Sequence, residues 1–270
     1  MDLGLQGQVA FITGASKGIG RATAQVLSEE GCTVVITARG EARLKEVARE
    51  ISEATGNDVH PIAGDMMVDA EVKAAVGATY ERYGHIDVLV PCAGAAPGGL
   101  AESLDDEAWL QALNLKFMGY VRACRHVLPR MKERGSGSVV MVVGNDGLQP
   151  PMWEVAPGVC NAADLNFASC MADQYGPHGI RVNTVNPGPV DTDRWEWIEK
   201  SQAESKGLDL ETTQKLVRAS LPAGRIARPD EIANVVAFLA SPRASFVNKA
   251  HVPVDSGQRK PLMDADLVLL

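Results

Sequence analysis

The segment of this sequence best suited to hold a phosphate is Thr13-Gly14-Ala15-Ser16-Lys17-Gly18-Ile19-Gly20. Residues 9–12 ahead of it form a short apolar run that reads as a buried strand. Residues 19–29 carry a helical pattern whose packing residues are Ala22, Ala24, Val26 and Leu27. Glycines at 14, 18 and 20 permit a tight turn and let the backbone approach a pyrophosphate closely. The helix after the turn offers free N–H groups and the positive end of its dipole. Glycine spacing alone is a weak signal; a strand before it and a helix after it make it a strong one.

Acid–base candidates are fewer. Asp146, and Glu154 further along, could act as acid or base if burial beside a reacting centre raised their pKa. The plainer expectation has Asp146 capping a turn before Gly147 and Glu154 facing water. Met152, Trp153, Trp195 and Trp197 could line an apolar cleft, with Trp153 and Trp195 as the substrate candidates, or could be core or oligomer contacts. Five scattered cysteines lack metal-ligand spacing, so no metal site is expected, and Cys160 and Cys170 read as helix-packing thiols.

Strand-like runs recur at 33–37, 59–63, 86–90, 138–143, 180–186 and 250–254. Helical patterns lie between them at 41–54, 69–83, 106–134, 161–174 and 229–239. This alternation predicts an α/β fold: one doubly wound Rossmann domain over residues 1–270, with a mostly parallel seven-stranded sheet and helices on both faces. The rhythm breaks at about 188–222, where an insertion after a strand end reads as a substrate lid or as a surface helix pair. A formal charge of −8 argues against nucleic acid and acidic membranes as partners. No basic leader with an apolar core and no run of bilayer length is present, so a cytoplasmic protein is expected.

The G-x-x-x-G-x-G turn with threonine before it resembles that of the short-chain dehydrogenase/reductase family. Ordered matches extend the resemblance over nearly the whole chain. They are Asp65 after the third strand, Ala93-Gly94 after the fourth, Asn114 in the long helix, and Ile180-Arg181-Val182-Asn183 leading to Pro187-Gly188. Thr192 and Val254-Asp255-Ser256-Gly257 complete the series. The resemblance implies an oxidoreductase of small molecules that assembles as a dimer or tetramer; the cleft candidates Met152, Trp153, Trp195 and Trp197 suggest an apolar or aromatic substrate. It further implies a nicotinamide dinucleotide held by Gly14, Ser16, Lys17, Gly18, Ile19 and Gly20. Further contacts would come from Arg39, Asp65, Met66, Ala93, Gly94 and Asn161, and from Pro187, Gly188, Val190 and Thr192. An NAD-selective site places a carboxylate after the second strand. This chain has Ala38-Arg39-Gly40 there and Lys17 inside the glycine turn, two cations without an obvious acid, which favours NADP(H) over NAD(H).

In that family a tyrosine exchanges a proton with the substrate oxygen and a lysine four residues later lowers its pKa. A serine polarises the carbonyl, and an asparagine in the long helix holds a relay water. Counting from the flanking matches, the resemblance puts Gly144, Pro157 and Asn161 at the serine, tyrosine and lysine positions, leaving only Asn114. The count of residues agrees. The tyrosines are Tyr80, Tyr83, Tyr120 and Tyr175, none with lysine four residues later, and no lysine lies between Lys132 and Lys200. Proline cannot give or take a proton, and asparagine carries no charge. Pro91 and Cys92 likewise replace the asparagines that precede Ala93-Gly94 in the family. Three functions stay open. One is an atypical oxidoreductase drawing its proton from water on Asn114, from Asp146 or from the substrate. Another is a silent partner of an active homologue in a hetero-oligomer. The last is a lyase or isomerase using Asp146 or Glu154 as base.

Overall fold

The computed structural model describes residues 2–259, so the two ends of the domain expected over 1–270 lie outside the described residues. Seven strands form one sheet: β1 (Val9–Thr13), β2 (Thr33–Ala38), β3 (Val59–Ala63), β4 (Val88–Val90), β5 (Gly137–Val142), β6 (Ile180–Pro187) and β7 (His251–Val254). Their order is β3-β2-β1-β4-β5-β6-β7, and every adjacent pair is parallel. Alternation along a strand sends successive side chains to opposite faces. Thus Ala10 and Ile12 of β1 join the core on one face, while Phe11 joins the core on the other.

The first face is covered by α1 (Gly18–Glu29), α2 (Glu41–Thr55) and α9 (Pro229–Ala240), through Leu27, Leu44, Ile51 and Val236. The second is covered by α3 (Asp69–Tyr83), α5 (Met118–Arg134) and α6 (Val155–Tyr175), through Val76, Val127, Met131 and Ala168. The order in which successive strands are laid down reverses between β1 and β4. In an open α/β sheet the crevice beyond the strand ends at that reversal is where ligands bind.

Two elements differ from the sequence expectation. The helix expected over 106–134 is interrupted: α4 (Asp106–Ala112) passes through a π-helical turn at Leu113–Phe117 before α5 begins. An inserted residue of this kind rotates the helix beyond it and is frequent at functional sites. The helix expected from residue 161 begins six residues earlier, at Val155. Pro157 therefore lies in its first turn, where a missing N–H breaks no helical bond. The insertion folds as α7 (Asp193–Lys206) and α8 (Leu210–Ala219), each capped by a side chain: Thr192 accepts from Trp195 N, and Asp209 accepts from Thr212 N. No helix of the described residues is long and apolar enough to cross a membrane.

Candidate active site

A cavity of about 460 Å³ opens in the crevice beyond β1 and β4 and extends beneath α7. Its end at the glycine turn is made by backbone. Gly14 has φ +69°, and a methyl built on it would lie 2.6 Å from Ala93 Cα and 2.8 Å from Ala93 N. Only glycine lets these two loops touch. They are also tied by a side chain, since Thr13 Oγ1 accepts hydrogen bonds from Cys92 N (3.0 Å) and Ala93 N (3.1 Å). The first N–H groups of α1, at Gly18, Ile19 and Gly20, have no helical partner and face this end.

The structure brings all the expected cofactor residues together. Gly14, Ser16, Lys17, Gly18, Ile19, Gly20, Arg39, Asp65, Met66, Ala93 and Gly94 line the cavity, as do Asn161, Pro187, Gly188, Val190 and Thr192. One detail is corrected: Lys17 does have an acid nearby. Asp193 Oδ2 lies 3.5 Å from its Nζ, with both side chains largely exposed. Such a pair is worth little in water and opens readily. The cationic character of this end therefore rests chiefly on exposed Arg39.

The other end is made by side chains. Gly144, Pro157 and Asn161, the positions implied for serine, tyrosine and lysine, all line it. Asn161 is 1% exposed, and neither its Nδ2 nor its Oδ1 has a hydrogen-bond partner among the described residues. A methyl on Gly144 would lie 2.6 Å from Asn161 Nδ2 and 3.6 Å from Asp146 Oδ2. The asparagine amide thus fills the space a residue 144 side chain would enter. Gln202 of α7, 3% exposed, also brings an unpartnered Oε1 to the cavity wall.

Other expectations separate here. Asp146 and Trp195 line the cavity, and Trp195 Nε1 donates to Glu199 Oε1 at 2.9 Å. Glu154, expected to face water, is instead buried in the cavity wall ahead of α6. Trp153 does not line the cavity. It is buried, its ring packs against the Gly98 backbone where no side chain stands, and its Nε1 donates to Ser205 Oγ at 3.1 Å. Met152 and Trp197 are exposed, Trp197 lying under the Arg194 guanidinium at 4.5 Å. Asn114 is also outside the lining: its Oδ1 accepts from Arg122 Nη2 (2.6 Å) and its carbonyl from Arg122 Nη1 (3.0 Å).

Sequence reasoning missed Lys116, Tyr120 and Arg194, all of which line the cavity. Lys116 and Tyr120 are four residues apart, the reverse order of a tyrosine followed by lysine, and that spacing was the available signal. Tyr120 Oη donates to the Val142 carbonyl at 2.6 Å, and burial holds its pKa well above the ordinary phenol value. Burial pushes the Lys116 amine below the ordinary lysine value, with the Asp164 carboxylate opposing that shift. Asp164 itself is raised by burial and drawn down by Lys116. The Cys92 thiol, also lining the cavity, is pushed up to about 12 by burial.

Comparison with known proteins accords with this architecture. A sequence model of the family described as "Enoyl-(Acyl carrier protein) reductase" matches residues 14–259. The 2,3-dihydro-2,3-dihydroxybenzoate dehydrogenase of Bacillus subtilis is 32% identical over 258 residues, 94% of this chain and 97% of that protein. A short-chain dehydrogenase/reductase of Aspergillus oryzae is 33% identical over 256 residues, 94% of this chain and 95% of that one. The structure of L-sorbose reductase from Gluconobacter frateurii, complexed with NADPH and L-sorbose, superposes with a TM-score of 0.89 at 34% identity. That likeness covers 96% of this chain and 98% of the reductase. With the glycine turn, the sheet order and these matches in agreement, the chain belongs to the short-chain dehydrogenase/reductase family of oxidoreductases.

Proposed function

We propose that this protein is an NADP(H)-dependent oxidoreductase acting on the carbonyl or alcohol, or a polarised double bond, of a small molecule, with a proton donor other than a tyrosine of α6. One observation carries the reading: a single cavity joins the glycine turn to the buried, unpartnered amide of Asn161. A buried polar group without a partner is costly unless a ligand supplies one. The cradle at Gly14, which a methyl would fill, and the free N–H groups of α1 fit a dinucleotide pyrophosphate. Gly14, Ser16, Gly18 and Ile19 would hold it, and Arg39 and Lys17 would meet a 2′-phosphate. Asn161 would hydrogen-bond the ribose next to the nicotinamide. When bound, the cofactor supplies or accepts a hydride. The NADPH complex of the sorbose reductase supports the choice of cofactor.

The substrate would lie under α7 between Trp195 and Ile198, with Gln202 and Arg194 offering polar contacts, so the favoured ligand combines an apolar or aromatic body with an oxygen function. We further read the chain as one domain that assembles into a homodimer or homotetramer in the cytoplasm. The test is direct. NADPH should quench protein fluorescence at lower concentration than NADH, and a panel of ketones, aldehydes and enones should reveal nicotinamide oxidation. Tight NADPH binding with no turnover over a broad panel would favour a silent subunit instead. Burial of Glu154 in the cavity wall lends weight to a second reading, a lyase or isomerase with that carboxylate as base. It requires product without net NADPH consumption, lost in Glu154→Gln.

A further inference from the structure

The π-helical turn at Leu113–Phe117 turns Lys116 toward the cleft. Its side chain lies along the loop after β4: a methyl built on Gly94 would come within 3.1 Å of Lys116 Cγ and 3.8 Å of Nζ. Lys116 is half-buried and lines the cavity, so an opening reaches a group otherwise enclosed by protein. Around it stand Asp164 and Cys160 of α6, Glu154 just ahead of α6, Arg194 of α7 and Cys92 of the loop after β4. Asp164 is 1% exposed, with an Oδ1 that has no hydrogen-bond partner among the described residues. On the same helix face, one turn earlier, Asn161 presents its unpartnered amide to the same cavity.

The geometry points to Lys116 as the proton-carrying catalytic residue of this pocket, its ammonium giving the proton that a substrate oxygen takes up on reduction, with buried Asp164, which makes no ion pair with it, acting on the amine through its charge alone. The assignment rests on the oxidoreductase reading above. An amine delivered from the α4–α5 side of the cleft stands in for the phenol and amine that α6 does not provide. Tyr120 cannot serve, because its hydroxyl proton is committed to the Val142 carbonyl. A lysine carries a proton at neutral pH, and burial makes it readier to release that proton. The transfer balances simply: Nζ–H breaks, an O–H forms on the substrate, and the neutral amine regains a proton from water at the cavity mouth. The reductant is the reduced nicotinamide cofactor.

Lys116→Met, Asp164→Asn and the wild type, all full-length, test the assignment. In Lys116→Met, turnover of NADPH with any carbonyl substrate accepted by the wild type should fall by about 10²–10⁴, the usual loss for a positioned acid, while the NADPH dissociation constant moves less than about threefold. Competitive acetylation with acetic anhydride across pH, read by mass spectrometry, should show Lys116 titrating below the exposed Lys45 and Lys215, and NADP⁺ should protect it. In Asp164→Asn the titration midpoint and the alkaline limb of the rate profile should both move to lower pH, since the carboxylate that favours the ammonium is gone. A purely structural Asp164 would leave both unmoved, and that result overturns the part given to Asp164, while the wild-type acetylation tests Lys116 even if Lys116→Met fails to fold. Wild-type turnover retained in Lys116→Met, or Lys116 titrating with the surface lysines, overturns the Lys116 assignment alone. A wild type that binds NADPH but reduces no carbonyl overturns the oxidoreductase reading and removes the proton's destination with it.

Discussion

Asn161→Leu should separate the stability of the empty protein from its affinity for nucleotide. The wild-type amide is 1% exposed and neither of its polar atoms finds a partner among the described residues, so truncating its polarity breaks no hydrogen bond seen there. Leucine has a similar volume, and Gly144 leaves it room, because no Cβ stands against the position now held by Nδ2. An unpaired buried polar group costs about 1–3 kcal/mol, and replacing it with an apolar group of like shape returns up to that amount. The variant without nucleotide should therefore be as stable as the wild type or more stable by up to about 3 kcal/mol in urea unfolding. NADP⁺ binding should weaken by about 0.5–1.5 kcal/mol, the net worth of a hydrogen bond, or about two- to twelvefold in dissociation constant. A saturating concentration of NADP⁺ would then raise the wild-type midpoint more than that of the variant. Loss of more than about 1 kcal/mol without nucleotide, together with an unchanged dissociation constant, would show that Asn161 is a packing residue and that the ligand-facing reading of its amide is wrong.

Gly14→Ala should destabilise the fold by about 2–4 kcal/mol, combining a left-handed backbone at φ +69° with overlap against Ala93, and should abolish nucleotide binding; a urea midpoint within error of wild type would refute the close approach. Arg39→Asp should weaken NADP⁺ by about 1.5–3 kcal/mol, the worth of a charge-assisted hydrogen bond, while leaving NAD⁺ unchanged or improved. Parallel titrations at two salt concentrations check this, and equal losses for both nucleotides would remove Arg39 from selectivity. Alkylation of the native protein at neutral pH should mark exposed Cys170 first. Cys32 should stay unmodified, because burial pushes its thiol up to about 12, leaving about 10⁻⁵ as thiolate at pH 7; labelling of Cys32 at the rate of Cys170 would contradict that burial. Stability should decline as pH falls below about 6.5, because burial holds His251 below its ordinary value between Ser169 and Thr184. The folded state then binds the proton less readily than the unfolded chain, and the stabilisation present above the unfolded pKa is lost in acid. His251→Gln should flatten that slope in unfolding curves across pH, and an unaltered slope would assign it to other groups.

Much of the fold was legible because its signals are local and repeated. The run at residues 9–12, the glycines at 14, 18 and 20 and the helix after them together specify a strand, a turn and a helix, and the structure has all three. The start of α6 was not legible, since Pro157 reads as a helix breaker unless it falls in the first turn, and only tertiary contacts decide where that turn begins. The Leu113–Phe117 π turn leaves no trace in composition, so a regular helix through residue 116 gave no reason to aim Lys116 at the cleft. Trp153 failed as a cleft residue for a related reason. Its ring is drawn to the bare backbone of Gly98, a contact distant enough in sequence that no pattern announces it.

The two ends of the cavity are built from different materials, so a substitution at one need not disturb the other. The phosphate end depends on backbone: Gly14 against Ala93, and Thr13 Oγ1 holding two successive N–H groups. None of those contacts involves the side chains of Gly144, Pro157 or Asn161. Substitution at those positions therefore leaves the contacts among Gly14, Ala93, Thr13 and Cys92 intact. Within the reacting end the positions are coupled. A side chain at 144 would collide with the Asn161 amide, and Pro157 sits one helical turn before Asn161. Serine at 144 demands that residue 161 withdraw, and lysine at 161 needs a neighbour at 157 on which to act. Gly144, Pro157 and Asn161 consequently behave as one packed unit, and the oxidoreductase reading proposed above draws its proton from outside that unit. The amine proposed for that task, Lys116, lines the cavity from the α4–α5 side of the cleft.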